Sequence, residues 1–216
     1  MQQNNSAKRT AIILGSVSLL LAPLLTFIGW AIAHESLAAF LDFNFTWTAT
    51  DATAQLNAAT SSSELIFRFF LLPHYIIYSS MPIYIGLSLC LAYVLFEKKP
   101  WQAFIGVVFS IIGAVYFIGV LAPFLSVPMG STKMTTIIIV SGVLMMLLFV
   151  GNVIQGFGLY KSKIIPKWAS SLFIFGNMLI LIFPSIENWM ALGSLFMIIG
   201  LLPLSMKLFH GNSSES

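Results

Sequence analysis

Six apolar runs, each near the length of a bilayer crossing, occupy most of this chain: residues 11–33, 76–96, 103–124, 136–160, 169–184 and 189–209. A span needs about 20 predominantly apolar residues, and only a helix or a closed barrel satisfies its own backbone hydrogen bonds in hydrocarbon. The alternating strands of a barrel are missing from these runs. The expected fold is all-α: a polytopic membrane helix bundle of six transmembrane helices. Charged residues are 8% of the 216 residues, against roughly 25% in an average soluble domain, so the chain could not build a water-facing surface.

The cations set the orientation. With the N-terminus inside, Lys8, Arg9, Lys98, Lys99, Lys161, Lys163, Lys167 and Lys207 fall on the inner side, and only Arg68 and Lys133 fall outside. That asymmetry follows the positive-inside rule and predicts that both termini are cytoplasmic. Five of the seven acids, Glu35, Asp42, Asp51, Glu64 and Glu187, lean the other way. The net charge of +3 reflects this bias, and the basic residues are dispersed in short loops, so no nucleic-acid partner is implied. The tryptophans agree. Trp101 and Trp168 open spans at the inner boundary, Trp30 and Trp189 lie at the outer one, and Trp47 is in the outer loop. Indole favours the headgroup level.

Lys8-Arg9, an apolar run and Ala31-Ile32-Ala33 together mimic a signal peptide with a small-residue cleavage site. The run is longer than a usual signal core, and we read it as an uncleaved first helix. The lone Cys90 lies within a span, where it reads as a small packing residue, and it cannot supply an internal disulfide.

Short connections between the later spans make 1–216 a single membrane domain, with one long outer loop at 34–75. Phe43, Phe45 and Trp47 alternate there with Asn44, Thr46 and Thr48, which suits an extended interfacial segment. Asp51 can cap a short Ala-rich helix over 51–60. Ser61 and Glu64 then read as a capping box that opens helix 2. Helix 2 would run unbroken to Phe96 except at Pro73 and Pro82, where it can bend.

The run Asp51-Ala-Thr-Ala-Gln-Leu-Asn57, then Glu64-Leu-Ile-Phe-Arg68, resembles a pattern in an uncharacterised family of bacterial six-helix membrane proteins, a domain of unknown function. Gly151, Gly156 and Gly158, followed by the cationic turn through Pro166-Lys167-Trp168, add to the resemblance, with Lys167 where that family commonly has arginine. The resemblance implies a six-helix fold and a bacterial membrane, and brings no activity with it.

Glu64, Arg68 and His74, with Asp51 nearby in sequence, are the one concentration of ionisable groups beside a span. They form a candidate outer-facing site for an anionic headgroup, a solute or a proton. The plainer reading is an Arg68 anchor paired with Glu64 at i, i+4. Asn152, Gln155 and Asn177 are the deepest polar residues. They read either as a hydrophilic pocket or as hydrogen-bonding glue between helices 4 and 5. Asn152 lies eight residues before Tyr160 and Asn177 nine after Trp168, so the two amides share a depth, and the glue reading sends Asn152 or Gln155 toward helix 5. Gly106, Ser110 and Ala114 form a small-residue stripe on helix 3, a close-packing surface.

No phosphate loop, metal-ligand cluster, haem-binding His pair or protease motif is visible, so no cofactor or metal is expected. The expected role is a non-enzymatic structural, accessory or sensing component of a bacterial inner membrane. The expected partners are membrane lipids, and a membrane-protein partner or a second copy remains open. The alternative is a small transporter or a lipid-binding protein with its site near Arg68. An enzyme would need a cavity joining Arg68, His74 and Asp51.

Overall fold

The computed structural model describes residues 2–33, 72–126, 143–183 and 187–211. Its elements are α1 (Gln2–Ala33), α2 (Leu72–Leu95), α3 (Pro100–Ser126), α4 (Leu147–Ser162), α5 (Lys167–Ile182) and α6 (Glu187–Gly211). Among the described residues there is no strand. Among the described residues five helical segments are long and apolar enough to cross a membrane, the one containing α4 counted from Val143 to Ser162.

The exception is α5, with 16 residues. At about 1.5 Å per residue it is roughly 24 Å long, short of the ~30 Å hydrocarbon core. Prolines explain both ends. Pro166 is the N-cap, with the extended backbone φ −54°, ψ 142°. Phe183 ends the helix at φ −122°, ψ 56°, outside the α region that the following proline, Pro184, disfavours for it. The apolar run expected over 169–184 thus forms a helix at Lys167–Ile182 that differs from the other five in being shorter than a candidate span. Helix 4 differs too: residues 143–145 are helical, a turn falls at Met146, and α4 proper begins at Leu147.

The helices pack as a closed ring in chain order. Each touches its sequence neighbours, α6 returns to α1, and α2 also touches α4 behind α3. Backbone proximity makes several of these contacts. At the α3–α4 crossing Gly106 and Ser110 face Gly151, and a Cβ on Gly106 would lie 2.9 Å from the Gly151 carbonyl oxygen. The small-residue stripe on helix 3 therefore packs within the chain, against α4. Gly176 of α5 and Gly193 of α6 meet in the same way: a Cβ on either one would overlap the other's carbonyl oxygen. In lipid the helices gain nothing from hiding apolar surface from water, so close backbone packing of this kind is a main source of attraction.

Large side chains fill the space inside the ring. Tyr84, Phe149, Phe173, Met81, Leu87 and Leu91 are almost wholly buried. Phe149 meets both Tyr84 and Phe117 edge-on, with centroids 6.4 and 6.2 Å apart. Outside, Trp101, Phe104, Val115 and Phe175 are exposed, as a hydrocarbon surround requires.

Three contacts show which helix ends lie together. Ser205 Oγ near the end of α6 donates to the Ser16 carbonyl of α1 at 3.0 Å. Ala11, Tyr93 and Leu208 line one crevice. Lys207 Nζ donates to the Ile164 carbonyl in the α4–α5 turn at 3.3 Å. The start of α1, the end of α6 and both the α2–α3 and α4–α5 turns thus occupy one end of the bundle. Among the described residues every lysine and arginine belongs to that cationic end.

Candidate functional site

Asp51, Glu64 and Arg68 lie outside the described residues, and so do the short helix expected over 51–60 and the extended strand-like segment before it. His74 falls in the first turn of α2, at the end opposite the cations. The structure therefore brings none of the outer candidates together in a described site.

The interior amides do have described geometry. Gln155 of α4 points to α2: its Nε2 donates to the Ser88 carbonyl at 2.9 Å, and Ser88 Oγ donates back to Oε1 at 3.2 Å. Asn152 points to α3, where Ser110 Oγ lies 3.3 Å from both Asn152 Oδ1 and the Leu148 carbonyl. Asn177 bonds within its own helix, Nδ2 to the Phe173 carbonyl at 2.7 Å. The expected α4–α5 amide bond is thus not the one formed. Equal depth fixes height along the bundle and leaves azimuth free. Gly156, one turn on from Asn152, is the α4 residue that packs against Phe173 and Ile174 of α5. Bulk and apolar packing occupy that face, and the amides turn to their other neighbours.

Sequence reading missed the partners. Ser88 and Ser110 are serines in apolar runs, and the available signal was that serine in a span tends to bond across helices or back to its own carbonyls. Thr26 and Tyr84 form a second buried pair, 3.0 Å apart, between α1 and α2. Thr26 already bonds the Pro23 carbonyl at 2.9 Å and the Ala22 carbonyl at 3.3 Å. Its single hydrogen is committed there, so the Tyr84 hydroxyl is the donor between them.

Buried polar atoms with no hydrogen-bond partner among the described residues include Trp30 Nε1 of α1 and, deeper in the bundle, Asn152 Nδ2, Ser170 Oγ and Asn177 Oδ1. The last three belong to α4 and α5. Among the described residues no three His, Cys, Asp or Glu side chains gather to hold a metal ion.

Among the described residues two crevices open on the periphery. One, of about 360 Å³, lies between α1 and α2 where Gly15, Ser18, Gly86 and Cys90 bring the helices together. The larger, of about 1060 Å³, runs along α4 and α5 from Tyr160 and Trp168 to Ile182, walled by Phe157, Phe175 and Met178. Its mouth is at the cationic end. There Lys167 Nζ sits 5.5 Å from the centroid of the Tyr160 ring, a cation–π contact. Lys161 and Lys163 are exposed in the same turn. Lys163 is left-handed, at φ 54°, and caps α4 by donating its N–H to the Leu159 carbonyl. Ile165, buried beside it, plugs the turn into the bundle.

Compared with known proteins, the chain matches no family model, no curated protein and no solved structure.

Proposed function

We propose that the protein is a non-enzymatic component of a bacterial inner membrane, acting through its surfaces as a structural, accessory or sensing element, with both termini cytoplasmic. The observation that carries this reading is how the interior is occupied. Where polar side chains meet inside the ring, they bond to one another, as Ser88 does to Gln155, and bulky side chains such as Tyr84, Phe149 and Phe173 fill the space around them. Both crevices described above lie on the periphery and are walled mainly by apolar side chains. A transport path needs the reverse arrangement: polar groups facing a common channel, usually at broken helices.

A second reading rests on the unpartnered atoms of Asn152, Asn177 and Ser170, which could line a small hydrated path. Thiol accessibility separates the two. In a Cys90→Ala background, Ser88→Cys and Asn177→Cys should resist a membrane-impermeant thiol reagent in intact membranes, while a control thiol at Lys99 reacts from the cytoplasmic side. Labelling of either interior position would overturn the packed-interior reading and favour transport.

A further inference from the structure

We propose that the crevice between α4 and α5 is a binding site for a phospholipid with an anionic headgroup, its phosphate held by the α4–α5 turn and its acyl chains laid along α5. This inference stands apart from the functional reading above, because it concerns the lipid-facing surface and not the interior.

Four observations converge on the mouth of this crevice. The first is charge. Lys161, Lys163 and Lys167 fall within seven residues, all three are exposed, and residues 160–168 contain no acid to neutralise them. Basic groups clustered between helix ends at a membrane surface are suited to anionic headgroups. The second is the start of α5. Its first turn has no acidic residue, and no side chain caps it. A helix N-terminus carries a partial positive charge and outward-facing N–H groups, so an anion there meets favourable dipoles as well as cations. The third is the wall chemistry. Tyr160 and Trp168 stand at the mouth, and the walls beyond them, including Phe157, Phe175 and Ile182, are apolar. This is the order in which a phospholipid presents glycerol and then hydrocarbon. The fourth is length. From Trp168 to Ile182 the crevice follows α5 for 14 residues, about 21 Å at 1.5 Å per residue, which exceeds the ~15 Å depth of one leaflet.

The turn is also held in place. Lys207 of α6 bonds the Ile164 carbonyl, and Ile165 is buried, so the three lysines project from a fixed support. The Lys167–Tyr160 contact brings one ammonium to the crevice itself. The shortness of α5 adds to the effect: a helix shorter than the hydrocarbon core draws headgroups inward beside it.

The test uses the full-length protein purified in a neutral detergent. Thermal unfolding is followed while phosphatidylglycerol or phosphatidylcholine of identical chains is added, and bound lipid is counted by native mass spectrometry. Phosphatidylglycerol should raise Tm more than phosphatidylcholine and be retained preferentially. In the variant Lys161→Gln/Lys163→Gln/Lys167→Gln that preference should fall by about fivefold per lysine removed. The pair Lys98→Gln/Lys99→Gln, cations at the same end of the bundle but on the α2–α3 turn, should keep it. Equal response to the two lipids would overturn the proposal, as would a preference that survives the triple variant or disappears in the Lys98/Lys99 control. Inorganic phosphate alone reproducing the full shift would also overturn it, since the site would then be one for a free anion. If the triple variant fails to purify, Ser171→Trp, which fills the crevice without touching a charge, provides the same readout: reduced retention of phosphatidylglycerol supports the site, and unchanged retention rejects it.

Discussion

Gln155 and Ser88 exchange two hydrogen bonds across the α2–α4 contact, the amide nitrogen giving to the serine carbonyl and the serine hydroxyl giving back to the amide oxygen. The two ends of the pair are not equivalent. Ser88→Ala leaves the buried Gln155 oxygen without its donor, and should destabilise the protein by about 1 kcal/mol. Gln155→Leu frees only a hydroxyl that can turn back onto its own helix, and a carbonyl already engaged in one. Adding Gln155→Leu to Ser88→Ala should therefore recover part of the loss. Thermal unfolding of the two single variants and the double variant in detergent measures the coupling. Strict additivity would show that the pair does not act as a unit.

The Thr26–Tyr84 pair has a similar asymmetry with the opposite lesson. Tyr84→Phe removes a donor and leaves Thr26 bonded to the Ala22 and Pro23 carbonyls, so a loss of about 0.5 kcal/mol is expected. Thr26→Val removes the acceptor and strands a wholly buried phenol hydroxyl, and should cost about 1–2 kcal/mol. The order of the two Tm values checks the assignment of Tyr84 as donor.

Asn177→Leu should be nearly silent, within about 0.5 kcal/mol of the parent. Its amide bonds only the Phe173 carbonyl one turn back, a group the helix can spare, and its oxygen has no partner among the described residues. A large fall in Tm would mean that Asn177 holds a partner outside the described residues.

The glycines divide by what lies opposite them. Gly176→Val and Gly193→Val should each lower Tm sharply, by more than about 3 kcal/mol in stability, because side chains there would force α5 and α6 apart. Gly119→Ala meets nothing within 4 Å and should be neutral or mildly stabilising, by up to about 1 kcal/mol. Fluorescence-detected gel filtration after heating distinguishes the two groups.

A reporter active only in the periplasm, fused after Ser216, should be silent in a bacterial host. Ser205 bonded to Ser16 places the start of α1 and the end of α6 at one end of the bundle, so reporter activity would invert both.

Helix formation and the gathering of charge at one end were legible from sequence. Twenty apolar residues in hydrocarbon have no choice but to bond internally, and lysines strongly resist burial in lipid. These are one-dimensional rules, applied residue by residue, and they located α1, α3 and α6 without any knowledge of neighbours. The depth of Asn152 and Asn177 was also readable, since rise per residue is constant. Which way each side chain turns was not. Rotation of a helix about its axis is set by which neighbour lets its backbone come closest, and that depends on pairs such as Gly151 with Ser110, Gly156 with Phe173 and Gly176 with Gly193, drawn from distant parts of the chain. Those contacts turned Gln155 toward Ser88 and Asn152 toward Ser110. They also set α5 against α4 so that an apolar crevice opens beneath Lys167, a feature composed of two helices and a turn that no single stretch of sequence contains.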